Sequence, residues 1–218
     1  MARPPKQRLI AVIDVGSNSV RLVVYRGLKR SPDIIFNERV LCGLARGVTA
    51  TGGMDEQAME MALAALGRFA HLCDDMNVDQ IAAVATAAVR DSENGPAFVE
   101  RIEKACGFKV RVLSGATEAG LSAYGVLSGF PGARGVVADL GGGSLELAVI
   151  EDGKIVEKTS LPIGPLRLLA GLEKYTSHQA AEVAEALRTV AWLPQCQGQP
   201  LYMVGGAWRV IAQIHIIQ

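Results

Sequence analysis

The chain has 218 residues, half of them hydrophobic and a fifth charged, with 22 Lys plus Arg against 22 Asp plus Glu. That composition excludes a disordered chain, and a formal net charge of zero gives no general attraction to nucleic acid or to an anionic membrane. The cysteines Cys42, Cys73, Cys106 and Cys196 are too widely spaced for a C-x-x-C zinc pattern, and no apolar run approaches the ~20 residues of a membrane helix, so a reduced, cytoplasmic protein is expected.

From the amino terminus, the basic start MARPPKQR leads into an apolar run from Leu9 to Ile13, too short for a signal-peptide core. LIAVIDVGSNSVRLVVYR then reads as a hairpin, because a β-branched run ends in D-x-G, turns, and leaves as a second alternating strand. Ile34 to Leu41 predicts a third strand. Asp55 to Met76 predicts a long helix, with Met59, Leu63, Leu66 and Phe69 on one face. Ile81 to Ala85 predicts a strand, Ala97 to Cys106 a helix stopped by Gly107, Val110 to Leu113 a short strand, and Ser114 to Leu127 a helix. The segment GFPGARG, 129–135, reads as a turn-rich linker, which divides the chain into halves at 1–131 and 132–218. After it come a second hairpin over 136–150, a strand from Ile155 to Leu161, helical material from Gly164 to Trp192, a strand from Leu201 to Val204, and a helix from about Ala207 onward.

The two hairpins are copies. At a constant offset of 125 positions Asp14 meets Asp139, Gly16 meets Gly141, Ser17 and Asn18 meet Gly142 and Gly143, Ser19 meets Ser144, Leu22 meets Leu147 and Val24 meets Val149. Self-similarity of this kind implies two related halves, each a three-stranded meander followed by helix–strand alternation. The fold class expected is α/β: a duplicated actin-like ATPase (ribonuclease H-like) fold, its halves facing a cleft. The second half stops one strand and one helix short of the first. That predicts a shortened form with an open sheet edge, prone to associate and weak in activity, and it predicts that Ile211, Ile214, Ile216 and Ile217 form a buried helix.

Glycine lets a tight turn point consecutive N–H groups at one anion and removes the side chain that would block it. Ser19 and Ser144 add hydroxyl donors, while Asp14 and Asp139 end their strands at the mouth of each turn. A carboxylate beside a phosphate calls for a cation between them, so Mg2+ is the implied mediator. Neither G-x-G-x-x-G nor a Walker A sequence is present, and strands rather than helices follow the glycines.

These segments carry a resemblance. DVGSNSVR at 14–21 and DLGGGSLE at 139–146 resemble the two phosphate loops of the exopolyphosphatase / guanosine pentaphosphate phosphohydrolase (Ppx/GppA) family. ATAAVRDSEN at 85–94, SGATEA at 114–119 and SLPIG at 160–164 are similar to further segments of it. The resemblance implies that Glu118 is the general base. It implies that Arg90 and Arg21 bind the phosphate being cleaved, with Gly16, Ser17, Asn18, Ser19, Gly141, Gly142, Gly143 and Ser144 as loop contacts. Asp14, Asp139 and Glu146 would organise Mg2+ and water. Thr117 stands where the family often has an acid, which leaves Glu118 as the candidate. The implied substrate is inorganic polyphosphate or guanosine pentaphosphate, with no nucleic-acid partner and no membrane span; a homodimer is left open for a longer form. An actin-like ATPase or sugar kinase, and a non-catalytic polyphosphate or alarmone sensor, are the alternatives.

Overall fold

The structure, a computed structural model, describes residues 8–46, 48–169 and 176–217. Its contacts divide into two compact units, one formed by residues 1–44 and 53–112 and the other by 45–52 and 113–218.

The first unit is built on a five-stranded sheet ordered β3-β2-β1-β4-β5. Its strands are β1 (Leu9–Val15), β2 (Ser19–Arg26), β3 (Ile34–Leu41), β4 (Gln80–Ala85) and β5 (Val110–Val112). The first three form the expected antiparallel meander, and β4 joins β1 in parallel, with Val15 opposite Ala85. Ala11, Ile13, Val15, Val20, Leu22 and Val24 are fully buried, which is the period of two expected for one covered sheet face. The long helix α2 (Glu56–Asp75) packs on β2 and against α4 (Gly95–Cys106). Asp55 caps α2 by accepting from the Ala58 N–H, and Gly107, at φ 75°, ends α4. Two helices of one turn were not expected: α1 (Val48–Thr51), which groups with the second unit, and α3 (Ala87–Arg90). The second of these turns the chain directly at the end of β4, with the Val89 and Arg90 N–H groups bonded back to the Thr86 carbonyl.

The second unit repeats the plan with a four-stranded sheet ordered β8-β7-β6-β9. Its strands are β6 (Gly135–Leu140), β7 (Leu145–Glu151), β8 (Lys154–Leu161) and β9 (Leu201–Val204). The copying extends to an irregularity: the β2/β3 register shifts between Val24 and Tyr25, and the β7/β8 register shifts between Val149 and Ile150, the same place in each copy. Both sheet faces carry apolar clusters. Val136, Ala138, Leu145, Leu147 and Leu161 pack with Val183, Ala186 and Leu187 of α7 (Ser177–Arg188). Val137, Ala148 and Ile150 pack on the other face with Ala123 and Val126 of α5 (Gly115–Gly129). The helix that sequence assigns to the first half therefore docks on the second sheet, and the contacts divide at 112/113 rather than at 131/132.

Two expectations need correction. The helical run from Gly164 to Trp192 is broken: α6 (Pro165–Leu168) is one turn, residues 170–175 lie outside the described residues, and α7 starts afresh at a Thr176–Gln179 capping box. The last helix, α8 (Gly206–Ile217), rests on β6 and β9, but Ile211, Ile214 and Ile216 are exposed, not buried. Ala207, Trp208 and Ala212 are its partly covered residues, so the isoleucines point away from the sheet. The side chain of Ile217 lies outside the description. No described helix is long and apolar enough to cross a membrane.

Candidate active site

In both sheets the glycine turn closes with one backbone bond. The Gly16 N–H donates to the Ser19 carbonyl at 3.0 Å, and the Gly141 N–H donates to the Ser144 carbonyl at 3.0 Å. Each turn leaves the carboxyl end of an interior strand of its sheet, and in each the aspartate is one residue before the strand's end. Directly across the hairpin from Asp14 is Arg21, and directly across from Asp139 is Glu146. Cross-strand partners share a sheet face, so each aspartate has its partner's side chain beside it.

At the first turn, the Cys42 and Gly43 N–H groups both donate to the Asn18 carbonyl at 3.0 Å, which fixes the turn's outer edge to the chain leaving β3. Arg21 and Arg39 are opposite one another on β2 and β3. Ser17 is buried. Arg90 ends α3, one turn beyond β4. Because β4 runs parallel to β1, this is the sheet end that carries the Gly16–Ser19 turn. Its Nε donates to Asp91 Oδ1 at 3.0 Å, and its side chain is 21% exposed.

The second turn is held more tightly. Gly164 of the S-L-P-I-G segment lies so close that a Cβ there would stand 2.4 Å from the Gly142 oxygen and from the Ser144 nitrogen. Nearby, the Leu166 N–H donates to the Gly142 carbonyl at 2.9 Å. On the other side Gly205, at φ +107°, lets the chain after β9 pass the Leu140 carbonyl and Asp139 Oδ1. Ser144 is buried. Glu146 is only 2% exposed and accepts a 2.7 Å bond from Ser160 Oγ, its cross-strand neighbour on β8.

Glu118 is in the first turn of α5, where Ser114 caps the helix by accepting from the Thr117 N–H at 3.2 Å. The start of this helix is pressed onto β8: a Cβ on Gly115 would stand 2.4 Å from Ser160 Cβ. One turn further on, Ser122 donates to Asp139 Oδ2. Residues four apart share a helix face, so Glu118 is on the face that meets Asp139. Burial pushes the Asp139 carboxyl above the usual carboxylate range, and the Ser122 bond pulls it partway back.

Within the first unit Asp14, Gly16 to Ser19, Arg21 and Arg90 thus gather at one end of the sheet. Within the second, Asp139, Gly141 to Ser144, Glu146 and the Glu118 turn gather at the equivalent end. Sequence reasoning missed Ser122, the Ser160–Glu146 bond and the approach of Gly205. The four-residue spacing from Glu118 was the available signal for Ser122. For the others the register of β8 and β9 was needed.

The model of the Ppx/GppA phosphatase family matches residues 23–218. Exopolyphosphatase 1 of Mycobacterium leprae is 31% identical over 164 residues, which are 73% of this chain and 48% of that protein. The chain therefore spans about half the length of that relative. Among solved structures, an exopolyphosphatase from Cytophaga hutchinsonii superposes with a TM-score of 0.83 at 28% identity, covering 96% of this chain and 70% of that one. The Ppx/GppA family member of Aquifex aeolicus superposes with a TM-score of 0.73 at 29% identity, covering 91% and 66%. With a match that starts inside the first hairpin and continues through both sheets, this chain belongs to the Ppx/GppA phosphatase family.

Proposed function

We propose that this chain carries the machinery for hydrolysing the terminal phosphoanhydride of linear polyphosphate, with Glu118 as general base. The observation that carries the reading is the face of α5: Ser122 bonds Asp139 beside the second glycine turn, and Glu118 is one helical turn away on the same face. A water held there loses its proton to the Glu118 carboxylate as its oxygen bonds to the terminal phosphorus. The bridging P–O bond breaks, and the shortened chain leaves. Positioning and charge stabilisation supply most of the rate in such reactions, and a general base adds about 10²–10⁴-fold. Polyphosphate is favoured because similar proteins carry the name exopolyphosphatase. Guanosine pentaphosphate offers the same terminal anhydride and is the second substrate to test.

Mg2+ fits the donor set of the second unit. Asp139 and Glu146 are adjacent carboxylates on one sheet face, and magnesium takes one or two carboxylates together with phosphate oxygens and water. Among the described residues no group of three or more His, Cys, Asp or Glu side chains forms a protein-only metal cage, so the remaining ligands would come from substrate and solvent. Asp14 is the corresponding acid of the first sheet. When bound, the ion would neutralise charge on the phosphate oxygens. The desolvated Asp139 carboxylate gains from a cation beside it.

The test is phosphate release from linear polyphosphate, guanosine pentaphosphate and ATP with Mg2+. Glu118→Gln keeps the shape and loses the base, so release should fall by roughly two to four decades while polyphosphate binding persists. Near-normal turnover in that variant sinks the assignment. Polyphosphate binding without release by the parent chain would instead identify a sensor.

A further inference from the structure

Arg21 and Arg39 are direct cross-strand neighbours, and like charges in that position repel. Their side chains do not lie side by side; they diverge toward opposite ends of the strands. Arg21 Nε donates to Asn37 Oδ1 at 2.9 Å, away from the first glycine turn, since Asn37 pairs with Val23. Arg39 Nε donates to Ser19 Oγ at 2.9 Å, toward the turn that Ser19 closes. The guanidinium nearer the turn therefore belongs to Arg39, on β3, and not to Arg21.

Nothing acidic claims it. Among the described residues neither arginine forms an ion pair with a carboxylate, although Arg26 pairs with Asp33 and Arg101 with Glu56 in the same unit. The acid next in sequence, Glu38, is bonded instead by Arg68 of α2. Asp14 stands opposite Arg21 on β1, so the row Asp14–Arg21–Arg39 keeps one positive charge in excess. Both arginines are exposed. A neutral side chain could hold Ser19 equally well without repulsion from Arg21. A guanidinium that spends one N–H on Ser19 keeps a fork of donors suited to two phosphate oxygens.

Resting on the phosphoanhydride reading above, the geometry points to Arg39 as a phosphate-binding residue: together with Ser19 it forms the cationic flank of the first glycine turn and holds oxygens of a condensed phosphate chain.

The experiment is equilibrium binding of sodium tripolyphosphate, and separately of guanosine pentaphosphate, to the full chain over a range of salt, with melting curves alongside. Arg39→Gln should weaken tripolyphosphate binding at least tenfold and flatten the dependence of log Kd on log salt by about one unit. Its Tm should equal or exceed that of the parent, because a repulsion is removed. Arg39→Lys should keep the salt slope and recover part of the affinity. Arg26→Gln, at the far end of β2, should leave binding unchanged. If Arg39→Gln binds tripolyphosphate like the parent, Arg39 is a structural partner of Ser19 and the proposal is overturned. A loss confined to guanosine pentaphosphate overturns it as well, since the contact would then read the nucleoside rather than the phosphate chain. If the parent binds neither ligand, the phosphoanhydride reading itself falls.

Discussion

Gly164 offers the sharpest test of how the second glycine turn is held. Its backbone, at φ −72° and ψ 152°, is one that alanine adopts freely, so only space is at issue. A Cβ would stand 2.4 Å from the Gly142 oxygen, the Gly143 carbonyl carbon and the Ser144 nitrogen. Ordinary contact begins near 3.4 Å, so one side must retreat by about 1 Å. No flexible side-chain end is present to give way, since all three are backbone atoms. The turn cannot simply slide, because the Leu166 N–H ties Gly142 to the same segment. A displacement of ~1 Å at a positioning element costs on the order of 100-fold in rate. Overpacking of this kind costs about 1–3 kcal/mol in stability, or roughly 2–4 °C of Tm per kcal/mol in a chain of this size. Gly164→Ala should therefore remain folded, melt several degrees lower, and lose about two decades of phosphate release. Gly132→Ala, where a Cβ meets nothing within 4 Å, is the control and should change neither. A folded Gly164→Ala chain that releases phosphate, and binds tripolyphosphate, within threefold of the parent would refute the reasoning.

Asp139→Asn should separate function from stability. Burial raises the folded-state pKa of Asp139 above its unfolded value, so the group favours the fold below the ordinary carboxylate range, and that contribution is lost as pH rises through the folded value. At neutral pH the amide should melt at or above the parent, with the difference closing on acidification, while Mg2+-dependent release falls; a clearly lower Tm at neutral pH contradicts this. Ser114→Ala removes the cap of α5 and should cost about 1 kcal/mol, measured by denaturant unfolding. A loss within error would mean that the Thr117 N–H finds another acceptor. Arg90→Ala should raise KM and lower kcat for phosphate release, since positive charge is needed most as charge develops on phosphate; unchanged kinetics would make Arg90 a surface residue.

The duplication was legible because the turn chemistry of Asp, Gly and Ser recurs at one offset, and the structure repeats it in the Gly16 and Gly141 bonds and in the matching register shifts. Glu118 was legible as a first-turn acid because Ser114 is a strong capping residue. What failed to show in sequence depends on docking. The period of α5 says which residues share a face but not which sheet that face meets, so its place on the second sheet and the Ser122–Asp139 bond were hidden. The exposed isoleucines of α8 mislead for the same reason, since an apolar helix face predicts burial only where something lies against it. Pro165 and the Thr176–Gln179 box both marked helix starts inside 164–192, signals that the reading of helical material there did not use.

The two copies keep one backbone plan and diverge in charge. In the first sheet the row across the hairpin and third strand is Asp14, Arg21, Arg39; in the second the same row is Asp139, Glu146, Ser160. The first carries one net positive charge, and the second carries two carboxylates tied by the serines Ser122 and Ser160. A polyanion cannot be held by two acidic turns, because its repulsion from the carboxylates would exceed what a few N–H groups return. Nor can two basic turns hold a magnesium ion, which needs anionic oxygen ligands. On the proposed reading, the first row suits phosphate oxygens and the second suits a cation, with the same backbone turn in each. On that argument Arg21→Glu, which copies the acid of the second row into the first, should weaken tripolyphosphate binding more than Arg21→Gln does. The β1/β2 register should stay intact in both variants, because Glu146 already occupies the equivalent place in the second sheet. Equal binding by the two variants would mean that the charge of the row is not what the ligand reads.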